Sequence, residues 1–430
     1  MQRSSLDQRA FDVIVCGAGS AGAAAAWAAA CAGAKTLLLE RLGFSGGTPV
    51  AAMIHTLDAI VSCQDYSQVV VGGYARALIA EIESLGGMAT GDNPGEAISI
   101  HPEIMKIATD RLLQGAGVQT IYRSTVIGAV MESKTIRGVE AHLRDGRAVF
   151  HAHCVVDGTG DAEIAAMAGA PWLLDPELQA ITYHFRLGNV EAGVTWQQLE
   201  NEARWAMDRA AAHGRSLRYG GPWVIRLADG EVSINATRVY ANPLDPEAMS
   251  QAEREARESM LTIWQILRDE VPALRNSYIL SGATDLHVRE SRKVQGDYVL
   301  TEEDIQTRRE FPDAIALGAW PIDIHPTNGF VGVHPHKESP PPPYQIPYRC
   351  LLPQDIDGLL VAGRPISTTH RAHGSTRVPG TSMATGHAAG VAAALAALAG
   401  RTPREVNSEQ IRQKLLQQNA ILSIEATETR

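Results

Sequence analysis

Histidines are concentrated late in this sequence, and six of the 14 lie between residues 325 and 387. Because the unperturbed pKa of imidazole is near neutral, histidine is well suited to accept or deliver a proton at physiological pH. His370 and His373 precede an alanine-rich segment, and Arg371 and Arg377 lie beside them. We predict that His373 and His370 transfer a proton or orient a substrate. The alternative is that they hydrogen-bond the backbone of their own loop.

His325 and two arginines complete the candidate catalytic set. His325 follows Asp323 by two residues, so it is either a base oriented by a carboxylate or half of a structural Asp–His pair. Arg289 and Arg292 have the fork geometry that binds a substrate carboxylate through two parallel hydrogen bonds. Their alternative is ion pairing with neighbouring acids of the sequence, which are Glu290, Asp297 and Glu302.

Two other chemistries are disfavoured by spacing. His334 and His336 can pair as metal ligands, but no third ligand follows at a convincing spacing, so we predict no metal site. A Ser-His-Asp hydrolase needs a sharp turn that carries the nucleophile. The sequence predicts no nucleophile elbow, the sharp strand-to-helix turn that carries the serine, which argues against that class.

A glycine pattern near the N-terminus indicates a dinucleotide site. The pattern G-x-G-x-x-G is formed by Gly17, Gly19 and Gly22. Its first glycine allows a tight turn, its second lets a pyrophosphate approach the backbone, and its third lets the helix pack closely on the strand. Ser20 and Ala21 open that helix, whose free N–H groups attract phosphates. Glu40 follows Gly22 by 18 positions, close to the roughly 20-residue spacing of an acid that binds a plain ribose.

Composition excludes several classes of partner. The formal net charge of −10 and the lack of a basic run argue against a nucleic-acid partner. The five cysteines are far apart with no C-x-x-C pair, which favours a reducing cytoplasm over a disulfide framework. The alanine-rich N-terminal run coincides with the glycine pattern, so we interpret it as core and predict no membrane span.

The elements that must position these residues follow an α/β pattern. The N-terminal segment predicts strand, glycine turn, helix and strand, and residues 153–171 and 358–397 repeat the strand–turn–helix order. Residues 176–280 hold further strands and two amphipathic helices, which we interpret as an inserted α+β substrate domain. The predicted fold is therefore α/β, with a Rossmann-like domain discontinuous over residues 1–175 and 281–430.

Three glycine-turn segments in this order resemble a known family. They are the N-terminal pattern, VVDGTGDAEIAAMAGAP and LLVAGR…MATGHAAG, and they are joined by RESRKVQGDYVLTEEDI, FPDAIALGAWPIDIH and IPYRCLLP. The sequence resembles the FAD-dependent oxidoreductases of the glutathione-reductase-like flavoprotein superfamily. That family is related to the flavoproteins of fumarate reductase and succinate dehydrogenase. The resemblance implies FAD as cofactor and is weakest over the inserted domain.

Carried over position by position, the resemblance assigns contacts along the whole cofactor. The glycines of the fingerprint would hold the pyrophosphate and Glu40 the adenosine ribose. A helix N-terminus at residues 383–386 would face the flavin, where its positive end stabilises the anionic reduced ring. The further positions that the resemblance assigns to FAD are Arg41, Gly46, Gly47, Thr48, Val126, Thr159, Gly160, Asp161, Gly363, Arg364, Met383, Ala384 and Thr385.

Two departures from the superfamily pattern affect the expected contacts. Many members carry an acid after the glycine of the C-terminal strand, to hold a ribityl hydroxyl, and this chain carries Arg364 there. Some relatives attach FAD covalently through a histidine after the second strand. Residues 45–48 supply none, and His55 comes a few positions late, so we predict noncovalent FAD.

The expected activity is oxidation of a small organic substrate by hydride transfer to FAD, followed by reoxidation by an unidentified electron acceptor. One alternative is an NAD(P)H-dependent flavin monooxygenase or reductase. The sequence shows no second complete G-x-G-x-x-G, although a monooxygenase can bind NADPH without one. Another alternative is a FAD-bearing electron-transfer subunit without turnover of its own. The sequence names neither the substrate nor the oligomeric state.

Overall fold

The structure is a computed structural model and describes residues 10–89, 97–215, 217–325, 336–337, 339–423 and 428–429. Its helices are α1 (Ser20–Cys31), α2 (Thr48–Ala51), α3 (Tyr74–Ser84), α4 (Pro102–Gly115), α5 (Glu163–Met167), α6 (Trp196–Ala212), α7 (Pro246–Glu270), α8 (Glu302–Thr307), α9 (His370–Thr376), α10 (Pro379–Ala399) and α11 (Ser408–Gln417). Its strands are β1 (Ala10–Cys16), β2 (Thr36–Glu40), β3 (Thr56–Asp58), β4 (Gln68–Val69), β5 (Ala97–Ser99), β6 (Gln119–Tyr122), β7 (Thr125–Glu132), β8 (Thr135–Leu143), β9 (Gly146–Asp157), β10 (Trp172–Leu173), β11 (Phe185–Gly188), β12 (Tyr219–Ala228), β13 (Glu231–Thr237), β14 (Tyr278–Gly282), β15 (Lys293–Val294), β16 (Ala314–Gly318), β17 (Asp323–Ile324), β18 (His336–Lys337), β19 (Tyr344–Pro347), β20 (Leu359–Val361) and β21 (Glu428–Thr429).

A seven-stranded sheet organises the chain, in the order β6-β2-β1-β9-β8-β7 with β20 also paired to β9. The strands β6, β2, β1, β9 and β20 pair in parallel, whereas β7 and β8 add to β9 as an antiparallel meander. β9 belongs to both the parallel and the antiparallel part of the sheet, because its 12 residues extend beyond the end of β8, its antiparallel partner. Its end, at Val155 to Asp157, lies between β1 and β20. The strand of the second strand–turn–helix segment therefore belongs to the same sheet as the N-terminal strands.

Both faces of the parallel strands are covered, as parallel sheets require. Side chains alternate between the two faces along β1. Val13 and Val15 pack into the cluster that contains α1 and α10. Ile14 and Cys16 pack into the opposite cluster, with Phe150 of β9. The α/β Rossmann-like fold predicted from the sequence is confirmed.

The helices α1 and α10 approach one another to backbone contact. A Cβ atom placed on Gly386 would lie 2.1 Å from the carbonyl oxygen of Ala21, and one on Gly390 would lie 2.1 Å from that of Ala25. α10 is long and apolar enough to cross a membrane by composition, but 72% of its most apolar window is buried inside the protein. Such burial is typical of a core helix.

A second, four-stranded antiparallel sheet in the order β12-β13-β11-β14 lies in the segment predicted as an insertion. The helices α6 and α7 cover it, and their buried residues share a cluster with Phe185 and Ile234. The predicted strands and helices of this segment are present, with β14 reaching Gly282. The domain boundaries at residues 176 and 280 stay a prediction.

Candidate active site

A cleft of about 340 Å³ opens at the carboxyl ends of β1 and β2. This is the end of an open parallel sheet at which ligands bind. Residues predicted from the sequence to contact the cofactor account for much of its lining. Those that line it are Gly17, Gly19, Glu40, Arg41, Gly47, Thr48, Val126, Thr159, Asp161 and Arg364.

Each glycine of the fingerprint has a distinct geometry. Gly17 has φ +90°, in the region that favours glycine. A Cβ on Gly22 would lie 1.8 Å from the carbonyl oxygen of Gly17, so the helix packs directly on the turn. A Cβ on Gly19 would meet no atom closer than 3.8 Å. The fold itself therefore leaves space at Gly19, on the wall of the cleft.

The carboxylate of Glu40 braces the fingerprint turn. It is 8% exposed. One of its oxygens accepts a hydrogen bond from the Ala18 N–H at 2.6 Å, and the other accepts one from the Leu42 N–H at 2.7 Å. Because each carboxylate oxygen can accept a second hydrogen bond, the group can still bind a ligand hydroxyl from the cleft.

A second glycine turn forms another wall and is held by a buried acid. Asp157 accepts hydrogen bonds from the N–H groups of Thr159, Ile164 and Ala165 at 2.9 to 3.1 Å. Burial raises the pKa of Asp157, although these hydrogen bonds oppose the shift. The turn therefore presents Thr159 and Asp161 to the cleft at a fixed position.

Arg364, which replaces the acid expected at this position, bridges the second turn to the rest of the site. Its guanidinium donates to the carbonyl of Gly160 at 3.1 Å and to the carboxylate of Asp161 at 3.0 Å. It also donates to the carbonyl of Val288. Gly363 lies next to it, and its N–H donates to Thr385 Oγ1 at 3.2 Å.

A second cavity, of about 160 Å³, adjoins the cleft, because Thr48 and Arg364 line both. Its walls come from the main domain and from the second, four-stranded sheet. The main domain contributes residues after α2, around β17 and at the start of α10, whereas β12 and β13 contribute Trp223, Ser233 and Asn235. The histidines and arginines of its lining are His55, His184, His287, His325, Arg289, Arg364 and Arg377.

His325 is the one predicted catalytic histidine that lines this cavity. Its Nε2 lies 3.2 Å from an oxygen of Asp323, which also accepts from Arg377 at 3.0 Å. Burial, reinforced by nearby Arg289, lowers the pKa of His325 well below its ordinary value, and Asp323 opposes the shift. The imidazole is therefore neutral at pH 7. In the tautomer that donates Nε2–H to Asp323, its Nδ1 carries the free lone pair.

The sequence matches a recognised family over most of its length. The family described as "FAD dependent oxidoreductase" matches residues 12–415 of this chain. The chain belongs to this family. FAD is its cofactor, and the protein is an oxidoreductase-type flavoenzyme.

Solved structures share the fold at low sequence identity. A geranylgeranyl bacteriochlorophyll reductase-like protein from Thermoplasma acidophilum is 14% identical with a TM-score of 0.51, over 96% of this chain and 84% of that one. A myxobacterial chondrochloren halogenase is 15% identical with a TM-score of 0.50, over 94% and 78%. A flavin-dependent brominase is 13% identical with a TM-score of 0.50, over 96% and 84%. No curated protein matches this chain in sequence. At these identities the neighbours establish the fold and not the reaction.

The cleft fits the nucleotide half of FAD. The open space at Gly19 allows a pyrophosphate to approach the backbone, and Ser20 Oγ, at the first residue of α1, is buried without a hydrogen-bond partner within the described part of the chain. Glu40 and Val126, which the resemblance assigns to the ribose and the adenine, line the same cleft. Thr48 then leads from this cleft into the second cavity.

The start of α10 differs from the prediction. Residues 383–386 were expected to form the helix N-terminus, but α10 begins at Pro379, so Met383, Ala384 and Thr385 lie in its second turn. Pro379 accounts for the earlier start, because proline is favoured in the first turn of a helix. Val378 and Pro379 line the second cavity, whereas Met383 is buried in the core. The helix end near the cavity is therefore made by residues that the sequence interpretation did not choose.

The other predicted catalytic residues lie outside the lining of the second cavity. His370 and His373 are on α9 rather than in a loop. His373 is 1% exposed, and its Nε2 lies 3.0 Å from the carbonyl oxygen of Arg289. Arg292 donates to the carbonyl of Asp161 at 3.3 Å and stacks over Trp172. Of the two arginines predicted to bind a substrate carboxylate, only Arg289 lines the cavity.

His370 belongs to a separate charged cluster. Its Nδ1 lies 3.0 Å from Glu290, and Asp175 lies close enough for these three groups to resemble a metal site. Lys293 already forms ion pairs with both carboxylates, and its side chain is 2% exposed. Lys293 therefore supplies a positive charge to both carboxylates from within the protein. Of the histidine pair considered as metal ligands, His334 lies outside the described residues.

Several cavity residues were not predicted from the sequence. His55 was considered only as a covalent attachment point, and His184 and His287 were not selected. His287 had a usable signal, because it precedes Arg289 by two residues and period-two alternation puts such positions on one face of an extended chain. His184 had none, since its neighbours Tyr183 and Phe185 predict only a buried strand.

Proposed function

We propose that this enzyme oxidises a small organic substrate in the second cavity by hydride transfer to noncovalently bound FAD. The observation that carries the proposal is that the nucleotide cleft and the cavity share Thr48 and Arg364. FAD, when bound, supplies the acceptor for the hydride. The chain supplies a small, largely buried chamber beside it, which excludes water and orients the substrate.

Binding of FAD is assigned to the cleft. The fingerprint turn and the N–H groups at the start of α1 would hold the pyrophosphate. Glu40 would accept a ribose hydroxyl, and Val126 would contact the adenine. Residues 45–48 offer no histidine for covalent attachment. We therefore expect acid precipitation to release all of the FAD into the supernatant, and retention of flavin by the precipitated chain would contradict noncovalent binding.

The proton of the substrate would pass to His325. Its neutral imidazole is oriented by Asp323, which is in turn held by Arg377. A base of this kind contributes roughly 10²- to 10⁴-fold to a rate. We expect His325→Gln to lower kcat by about 100-fold with FAD still bound, whereas His370→Gln, outside the cavity, keeps most of the activity. Equal losses in the two variants would contradict the assignment of His325.

The decisive test separates this function from its alternatives. Anaerobic stopped-flow mixing with a panel of small organic substrates should bleach the flavin absorbance, whereas NADH or NADPH alone should not. Rapid bleaching by either nicotinamide would support a monooxygenase or reductase instead. Bound FAD without bleaching by any compound would support an electron-transfer subunit. We further propose that the inserted domain binds the substrate and that an unidentified electron acceptor reoxidises the flavin. The proposal also places the protein in the glutathione-reductase-like superfamily and in the cytoplasm.

A further inference from the structure

Three buried arginines surround the second cavity. Arg289 is 2% and Arg238 is 6% exposed, and the side chain of Arg377 is 6% exposed. Arg289 and Arg377 line the cavity directly, and Arg238 stacks at 5.2 Å on Trp223, which also lines it. Taking a guanidinium out of water is costly unless a negative group compensates it.

Two of these arginines, Arg289 and Arg238, donate no described hydrogen bond to a carboxylate. Arg377 is paired with Asp323. Arg289 donates from Nη1 to the carbonyl of Ala180 at 2.6 Å and to Thr182 Oγ1 at 2.7 Å, which are neutral acceptors. The described acceptors of Arg238 are neutral too, and they are Thr182 Oγ1, Asn235 Oδ1 and the carbonyl of Thr237.

The two other carboxylates that line the cavity, Glu200 and Asp58, form no described ion pair with Arg289 or Arg238. Glu200 accepts from Arg204 at 2.6 Å and from the Val224 N–H at 3.1 Å. Asp58 also lines the cavity, but neither arginine forms a described ion pair with it. Burial is the main cause that lowers the pKa of Arg289 well below its ordinary value. The neighbouring guanidinium groups of Arg238 and Arg377 lower it further.

Polar atoms of the lining also lack partners within the described part of the chain. Buried polar groups are nearly always hydrogen-bonded, so an unpartnered set around one cavity indicates a ligand. The buried atoms concerned are Arg289 Nε, Arg377 Nε, both ring nitrogens of His55, His184 Nε2 and His287 Nδ1. Burial, with Arg289 nearby, keeps the pKa of His184 and of His287 well below the ordinary value. These imidazoles are therefore neutral and offer hydrogen bonds without further charge.

From this arrangement we propose that the second cavity binds a small organic carboxylate, with the carboxylate group held by Arg289 and the surrounding neutral histidines. The inference rests on the proposed function only in taking the bound carboxylate to be the substrate. The planar fork of Arg289 matches a carboxylate. Trp223, Val224 and Ile225 give the remainder of the ligand an apolar wall. The same positive charge disfavours a metal ion or an ammonium-bearing substrate.

Binding of simple probe compounds to the oxidised holoenzyme tests the inference. Propionate, propionamide, propylamine hydrochloride and sodium phosphate are titrated at equal ionic strength, with flavin difference absorbance and Tm as readouts. Charge-assisted hydrogen bonds predict that propionate binds at least about tenfold more tightly than the amide or the amine. Equal affinities, or phosphate binding as tightly as propionate, would overturn the assignment.

Variants locate the carboxylate. Arg289→Gln is expected to weaken propionate binding at least about tenfold and leave propionamide unchanged. Arg257→Gln removes the same charge from an exposed ion pair on α7 and should change neither the propionate nor the propionamide affinity. If Arg289→Gln does not fold, Arg377→Lys keeps the charge beside Asp323 but loses the Nε donor, and it should also weaken propionate. Unchanged propionate affinity in a folded variant would overturn the site.

The two proposals fail in different ways. If carboxylates bind but none bleaches the flavin anaerobically, the oxidation proposal is wrong and the carboxylate site remains supported. If an uncharged compound or an amine bleaches the flavin and propionate does not compete with it, the carboxylate site is overturned and the oxidation proposal remains.

Discussion

At the scale of single residues, the second and third glycines of the fingerprint, Gly19 and Gly22, are glycine for different reasons. Gly22 is required by the protein itself, because a side chain there would collide with the carbonyl of Gly17. Gly19 has open space around it, so its lack of a side chain is useful only to a ligand. Gly22 is therefore required by folding, whereas Gly19 is the position that we propose FAD requires.

This difference gives a matched pair of variants. We expect Gly19→Ala to fold with nearly normal stability but to bind FAD at least about tenfold more weakly, because the methyl group occupies the pyrophosphate approach. Gly22→Ala should impair folding, since its Cβ would lie 1.8 Å from a backbone oxygen. Isothermal titration of the apoprotein with FAD, together with urea unfolding, measures both effects. Full FAD affinity in Gly19→Ala would contradict the location of the pyrophosphate.

At the scale of elements, the contact of α1 with α10 connects the N-terminal fingerprint to the C-terminal half of the site. Gly386 and Gly390 are one helical turn apart and face Ala21 and Ala25 at backbone distance. Close packing of this kind fixes the start of α10, where Val378 and Pro379 reach the cavity. Residues 365 positions apart in the sequence are thus in backbone contact.

Alanine at these glycines tests the helix contact. We expect Gly386→Ala to lower the free energy of unfolding by about 1–3 kcal/mol or more, because overpacking forces the two backbones apart. Gly115→Ala, at the end of α4, is the control, since its added Cβ would meet nothing within 4 Å. Urea unfolding measures both, and similar stability of the two variants would argue against the contact.

At the scale of the whole molecule, many histidines are buried in uncharged form. Burial is the leading cause that lowers their pKa, to about 3 for His55 and about 4 for His387. The remaining members of the set are His184, His287, His325 and His373. In the unfolded chain each has an ordinary pKa of about 6.5, so the unfolded state binds more protons as the pH falls.

The protein is therefore expected to lose stability in mild acid. The contribution is fully present above the unfolded pKa and is lost as the pH falls below it, by up to about 1.4 kcal/mol per histidine near pH 5.5. Asp157 and Glu163, whose pKa values are raised, act in the opposite direction but are two groups against six histidines. Urea unfolding at about pH 7.5 and 5.5, with FAD in excess, measures the loss. His387→Gln, away from the cavity, should reduce the loss by one such increment, and flat stability across this range would contradict neutral burial.

The sequence by itself determined the nucleotide half of the site. The glycine spacing, Glu40 and the repeated strand–turn–helix order act locally, since each constrains a turn and the strand or helix beside it. Such features predicted the α/β fold and, together with the family resemblance, FAD as the cofactor and ten of the residues that line the cleft. The start of α10 was misplaced by four residues because the alanine-rich pattern does not mark its own beginning.

Only the tertiary structure decided which polar side chains share the second cavity. His55, His184, His287 and Arg289 come from separate segments, and no spacing in the sequence connects all of them. His370 and His373 were favoured for their neighbours in sequence, yet the fold turns them toward Glu290 and the backbone of Arg289. The reason is physical. A nucleotide turn is built from one stretch of backbone, whereas the second cavity, between the main domain and the four-stranded sheet, is built from contacts between distant segments.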